Sequence, residues 1–232
     1  MPSGIHVVAM PSDREEMQLG RLAHGEHPEL LLAQRGLRAE QPLRAGLTGE
    51  GALELAYRVT QADGIRLEDE DFTLSRDPGI GPDEVGEPHQ RAAAYAVVTS
   101  ERGVLLTQFN SQTRAAGDWG LPGGGLDLGE TPVDGVLREV WEETGQQVEL
   151  GELVTIQSQH WIGRAPHGVL EDFHAVRIVY LAVCRDPQDI VIHDVGGTTA
   201  DARWVPFAEL TGMPLTSSWR RLDALTRLAV RH

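Results

Sequence analysis

Three observations predict an α/β fold. A glycine-rich loop runs into a strongly specified helix at residues 120–145, apolar strand-like runs lie on both sides of it, and a Pro/Gly-rich break occupies residues 77–89. The break divides the 232-residue chain into a small α+β unit, residues 1–76, and a mixed sheet flanked by helices, residues 90–232. A chain of this length can bury one full domain core and a smaller one.

The elements follow in order. Ser12 with Glu15 forms a capping-box pattern that predicts a short helix from about Asp13. Pro28 to Arg35 reads as a second short helix, with Pro28 early and Gly36 just past its end. Leu53, Leu55, Tyr57 and Val59 alternate with Ala52, Glu54, Ala56 and Arg58, the pattern of a strand with one apolar face. Residues 64–76, opening Gly64-Ile65-Arg66-Leu67, are read as a further strand. The run Asp77-Pro78-Gly79-Ile80-Gly81-Pro82 and then Gly86-Glu87-Pro88 suits neither helix nor strand, which makes residues 77–89 a linker. Beyond it, Ala94 to Thr99 and Val104 to Phe109 read as strands joined by the turn Ser100-Glu101-Arg102-Gly103. Strand-like runs resume at Leu153 to Ile156, Ala175 to Val183 and Arg203 to Val205. A terminal helix is expected from about Ser218, with Trp219, Leu222, Leu225 and Leu228 on one side.

The formal net charge is −15, from 35 Asp and Glu against 20 basic residues, every one of them Arg. That balance argues against a general nucleic-acid or membrane binder, because neither anionic surface is attracted at long range. A small anionic substrate remains compatible, since carboxylates holding a divalent metal present local positive charge. Cys184 is the single cysteine and lies at the end of an apolar run, so it is expected to be a buried strand thiol, and no internal disulfide can form. Ile5 to Met10 is too short to cross a bilayer, and a cytoplasmic protein is expected.

The helix that follows the glycine loop carries the chemistry. Thr131 is a natural N-cap, Pro132 suits the first helical position, Asp134 completes a T-x-x-D pattern, and Gly145 suits the left-handed residue that ends a helix. Helical spacing places Glu139, Glu142 and Glu143 together, with Val133, Leu137 and Val140 as a separate apolar stripe and Val136 at its edge. Clustered like charges cost roughly a few tenths of a kcal/mol per pair. Two glutamates would read as a solvated acidic face; three at this spacing, directly after a glycine loop, point to a hard divalent cation that takes oxygen ligands. Gly135, one turn before Glu139, costs roughly 0.5–1 kcal/mol relative to Ala; a close approach by loop backbone or substrate would account for it, as would drift.

This stretch resembles the Nudix box, G-x5-E-x7-R-E-U-x-E-E-x-G-U, in which U is bulky and apolar. Gly124, Glu130, Arg138, Glu139, Glu142, Glu143 and Gly145 match its seven fixed identities and Val140 the first U, while Gln146 stands where the last apolar residue belongs. The resemblance covers roughly residues 90–232 and implies a Nudix-type mixed sheet. It further implies a pyrophosphohydrolase in which Glu139, Glu142 and Glu143 bind Mg²⁺ (Mn²⁺ as the alternative), with one of them acting on the attacking water. Arg138 would orient these glutamates, Glu130 would brace the loop, and the backbone of Gly123 and Gly124 would approach the metal.

A further carboxylate, as metal ligand or base, is expected downstream, with Asp194, Asp201, Glu171 and Asp172 as candidates. Arg114, Arg164 and Arg177 are candidate phosphate partners among solvated charges, and Trp161 either stacks on a base or packs in the core. His160, His167, His174 and His193 fit no compact zinc spacing and read as ordinary surface or hydrogen-bonded histidines. Ser158-Gln159-His160-Trp161 partly resembles the S-Q-P-W start of a motif in nicotinamide-dinucleotide pyrophosphatases. The expected substrate is therefore a small nucleotide, a nucleoside diphosphate linked to a second group such as ADP-ribose or a dinucleotide. The alternatives are a nucleoside triphosphate or an RNA 5′ end, and, in another class, a non-catalytic nucleotide sensor. Residues 1–76 have amphipathic strands, no motif and 8 Arg against 13 Asp and Glu, which suggests homodimerisation or pocket closure rather than chemistry.

Overall fold

The computed structural model describes residues 4–62, 74–165 and 168–231. The strand read at residues 64–76 falls mostly outside them, as does His167; its last two residues, Ser75–Arg76, form a short strand. The chain divides into two compact units. One comprises residues 1–93, 125–132 and 155–178, the other residues 94–124, 133–154 and 179–232.

The first unit holds a four-stranded sheet in the order β2-β1-β4-β3, built from β1 (Ile5–Pro11), β2 (Met17–Arg21), β3 (Leu37–Leu47) and β4 (Leu53–Gln61). β1 pairs antiparallel with β2 and parallel with β4, and β3 pairs antiparallel with β4. Alternation in β4 buries Leu53, Leu55, Tyr57 and Val59 as its sequence predicts, and Ala56 is buried as well. Helix α1 (Pro28–Ala33) starts with Pro28 at its first turn and is capped by His27, whose side chain accepts the Glu29 N–H. Gly36 follows it with φ +69°, a conformation open to glycine at little steric cost.

The helix expected from about Asp13 does not form. Residues 12–16 are a turn and bend joining β1 to β2. Five residues cannot repay helix nucleation when Val8 and Ala9 can pair with Gln18 and Met17 on the next strand.

The second sheet has eight strands, ordered β12-β7-β6-β11-β10-β5, with β8 on β7 and β9 on β6. They are β5 (Ser75–Arg76), β6 (Glu87–Ser100), β7 (Gly103–Phe109), β8 (Trp119–Gly120), β9 (Gly123–Gly125), β10 (Glu149–Arg164), β11 (Leu170–Val183) and β12 (Thr199–Val205). Its strands run both parallel (β5 with β10) and antiparallel (β7 with β6 and β12), so the sheet is mixed. β6, β9, β10 and β11 contribute residues to both units.

In the second unit a core forms from Val97, Val104, Leu106, Leu121 and Val179 with Trp219, Leu222 and Leu225, and Leu228 packs against it. Those last residues come from α3 (Ser217–Arg220), α4 (Asp223–Arg231) and the bend between them, so the terminal apolar stripe is divided over two short helices. Among the described residues no helix is long and apolar enough to cross a membrane.

Candidate active site

Helix α2 (Pro132–Thr144) occupies the span its caps predict, with Pro132 first and Gly145 at φ +72° just past its end, where the Gly145 N–H returns to the Trp141 carbonyl at 2.8 Å. The buried side of the helix differs from the predicted stripe. Val136 and Val140 are fully buried and Leu137 is half-buried, while Val133 is exposed. Burial centred on Val136 and Val140 carries round, at helical spacing, to Glu143 and Thr144. Glu143 therefore lies on the packed face and not off it.

The three glutamates form a gradient. The Glu142 side chain is 34% exposed and that of Glu139 16%, and Glu143 as a residue is 5% exposed. One guanidinium nitrogen of Arg138 donates to Glu139 Oε1 at 3.0 Å and to Glu142 Oε2 at 2.9 Å, setting both carboxylates. Glu143 accepts the Gly123 N–H at 2.9 Å and the Thr199 hydroxyl at 2.5 Å. Burial pushes its carboxyl up to about 8; the Thr199 and Gly123 hydrogen bonds oppose the rise, and the charges of Glu139 and Asp194 add to it.

The glycine loop closes over this group. A Cβ at Gly124 would stand 2.5 Å from Glu139 Oε1, so glycine lets that carboxylate keep its position. A Cβ at Gly123 would collide with the Ala94 carbonyl oxygen, and its φ is +142°. Glu130 accepts the Asp127 N–H at 2.9 Å and so ties the loop to itself.

The candidate downstream carboxylates separate. Asp194 sits at the end of α2: its backbone N–H and that of His193 both donate to the Glu142 carbonyl, and its carboxylate fills the space beside Gly197. His193 stacks on Trp141 with ring centroids 4.2 Å apart. Asp201 is exposed and accepts the Ala202 N–H. Glu171 and Asp172 lie on β11 in the first unit. Arg177 donates to Gln159 and Arg164 pairs with Glu84, while Arg114 is exposed in the turns after β7. Trp161 packs on Phe173 with centroids 4.5 Å apart.

Gln146, the residue that breaks the box pattern, is 1% exposed and fully engaged. Its Oε1 accepts the Gln188 N–H at 2.9 Å and its Nε2 reaches the Thr144 and Gln188 carbonyls. The Cys184 thiol is buried beside that Oε1, and burial pushes it up.

A grouping that sequence spacing hides lies in the first unit. His24 and His160 both reach Asp172 Oδ1, and the fully buried His174 stands against both rings. His160 and His174 are hydrogen-bonded, as read from the sequence, but the spacing between them gives no sign that they meet. The available signal was the pair of i, i+2 patterns Ser158-x-His160 and Asp172-x-His174 on neighbouring strands, each of which points two side chains to one face.

The NUDIX domain family model matches residues 89–228, and the chain belongs to that family. It is 46% identical over 76 residues to a MutT-like protein of Streptomyces ambofaciens, covering 32% of this chain and 47% of that one. It is 33% identical over 82 residues to an RNA pyrophosphohydrolase of Roseobacter denitrificans, covering 35% and 49%. Among solved structures it resembles the MutT protein of Methanosarcina mazei Go1 at 24% identity, with a TM-score of 0.48, covering 64% of this chain and 98% of that one. The chain spans about half the length of the curated relatives it matches.

Proposed function

We propose that this chain is a divalent-metal-dependent pyrophosphohydrolase whose site is the α2 glutamate face. The observation that carries the reading is the joint placement of Glu139 beneath Gly124 and of Glu143 against the Gly123 N–H, with Arg138 bridging Glu139 to Glu142. The donor set fits Mg²⁺ or Mn²⁺, because every side-chain donor is a carboxylate oxygen and Gly124 leaves a cradle that a Cβ would fill. Such an ion, when bound by Glu139, Glu142 and Glu143, neutralises diphosphate charge and acidifies a water. The protein's own part is positional: Arg138 holds two of the carboxylates, and the glycine loop excludes side chains from the place where phosphate oxygens must approach. Asp194 is the downstream carboxylate we assign to orienting the attacking water, since it alone of the four candidates is hydrogen-bonded through its backbone to the glutamate turn.

For the substrate we propose a nucleoside diphosphate linked to a second group, ADP-ribose or a dinucleotide, rather than a nucleoside triphosphate or an RNA end. The net charge of −15 disfavours a polyanion such as an RNA. Residues 1–76 are assigned to self-association or to covering the second moiety. The test is kcat/KM for ADP-ribose, a reduced nicotinamide dinucleotide, the nucleoside triphosphates and a 5′-triphosphate RNA, with Mg²⁺ and with Mn²⁺. A triphosphate or RNA end preferred by about tenfold, near 1.4 kcal/mol in the transition state, rejects the substrate. Tight binding without metal-dependent cleavage of any of them makes the protein a sensor. Near-parental turnover in both Glu142→Gln and Glu143→Gln rejects the glutamate face as the site.

A further inference from the structure

We infer that His24 Nε2, His160 Nε2 and Asp172 Oδ1 form a binding site for a borderline divalent transition-metal ion of the Zn²⁺ class, made of residues other than the α2 glutamates. The three donor atoms lie within 4.8 Å of one another. Both imidazole nitrogens converge on the same carboxylate oxygen, at 3.0 Å from His24 and 2.5 Å from His160. Two imidazoles and one carboxylate are a recurrent ligand set for Zn²⁺ and its neighbours, whereas hard Mg²⁺ prefers oxygen throughout. Three protein donors leave a coordination position for water or a small ligand. Side-chain exposures of 26% for His24, 19% for His160 and 13% for Asp172 leave an approach for the ion.

The surroundings hold these donors in place. His160 and Asp172 come from the neighbouring strands β10 and β11, so the sheet sets their separation. His24 comes from the segment after β2, and the next residue, Gly25, makes room for the His160 ring. At φ +75° Gly25 lies so near the His160 ring that a Cβ would stand 2.5 Å from its Nδ1. Behind the rings His174 is fully buried with both nitrogens engaged. Its Nδ1 accepts the Gly25 N–H at 3.0 Å and is 2.9 Å from Gln90 Nε2, and its Nε2 is 2.8 Å from the Ser158 hydroxyl. The Gly25 N–H makes Nδ1 the acceptor, which leaves Nε2–H to donate to Ser158. His174 is thus a fixed wall and not a ligand, and it positions the backbone beside His24 through Gly25. An ion here would join the N-terminal segment to β10 and β11 within the first unit, a staple between residues far apart in sequence.

The test uses the full chain carrying Glu139→Gln and Glu142→Gln, which removes most competing binding at the carboxylate face, after chelation and dialysis. Co²⁺ and then Zn²⁺ are titrated. One equivalent of Co²⁺ should give d–d bands of a four- or five-coordinate ion, and Zn²⁺ should displace it. His24→Ala and His160→Ala, in the same background, should weaken binding by at least about tenfold and abolish the rise in Tm that Zn²⁺ causes. X-ray absorption on the Zn²⁺-loaded chain needs no histidine substitution and so stands even if those variants fold poorly; it should show imidazole scattering from two histidines. An all-oxygen shell overturns the inference. So do unchanged Co²⁺ bands in both histidine variants, or no stoichiometric uptake at all; the trio is then a hydrogen-bonded network only.

Discussion

The Gly123 backbone N–H donates to Glu143 Oε2 at 2.9 Å, joining the glycine loop to the last acid of helix α2 across twenty residues of chain. Because Glu143 also receives the Thr199 hydroxyl, one buried carboxylate connects β9, α2 and β12.

Substitution at Glu143 should therefore separate charge from connection. Glu143→Gln keeps an oxygen for the Gly123 N–H and turns an amide toward the Thr199 oxygen, much as the buried, raised carboxyl does without metal, but it cannot ionise to hold a cation. Its metal-free melting temperature should equal or exceed the parent's, although turnover is lost. Glu143→Ala leaves the Gly123 N–H without this acceptor and should cost about 1–3 kcal/mol. Chemical denaturation of both variants checks the order; a Gln variant less stable than the Ala variant contradicts it.

The two loop glycines should fail differently. Gly123→Ala sets a Cβ against the Ala94 carbonyl and Tyr95 Cα from a backbone at φ +142°, so it should unfold the second unit or destabilise it by several kcal/mol, about 3 or more. Gly124→Ala first meets the carboxylate end of Glu139, which can swing aside at the cost of its bond to Arg138. It should fold with near-parental stability yet lose about 100-fold in kcat, because the displaced carboxylate leaves its working position. Circular dichroism with steady-state kinetics distinguishes the two.

Gln146→Leu would restore the apolar residue of the family pattern, and the expected outcome is a loss of stability. The Gln188 N–H and the Thr144 and Gln188 carbonyls all lose a buried partner, for about 2–4 kcal/mol. A Leu variant as stable as the parent, measured by urea unfolding, would show that this buried amide is dispensable.

His27 should make stability fall in mild acid. Burial lowers its pKa from 6.5 to about 4, and its Nδ1 must stay unprotonated to accept the Glu29 N–H at 3.1 Å. The unfolded chain takes up the proton first, so this contribution is complete above about pH 6.5 and is lost as pH falls toward 4. His27→Asn keeps a cap acceptor and should reduce the pH dependence of Tm over that window, the remainder coming from His174, whose pKa burial also lowers to about 4.

Helix α2 was legible almost residue by residue because its signals are local: Thr131 before it, Pro132 in its first turn, Gly145 after it. Its buried face was not, because Val133 and Leu137 are as apolar as Val136 and Val140, and only tertiary packing chooses among them. β3 escaped notice for a different reason. Register shifts between Ala39 and Gln41 and between Pro42 and Arg44 break the two-residue period on which strand recognition rests. The histidine group lay further out of reach, since His24 and Asp172 are 148 positions apart and each is unremarkable in its own neighbourhood.

The amides of Val191, His193 and Asp194 donate to the Thr144 and Glu142 carbonyls, so the loop after β11 supplies the hydrogens that the last turn of α2 lacks. Those three protons are an internal gauge of the acidic turn. If the segment peels away, their exchange with deuterated solvent accelerates together, and the carbonyls of the turn bearing Glu142 and Glu143 are uncovered at the same moment. Protection of these amides, followed as Mg²⁺ is added, would report how firmly the turn is held before any substrate arrives.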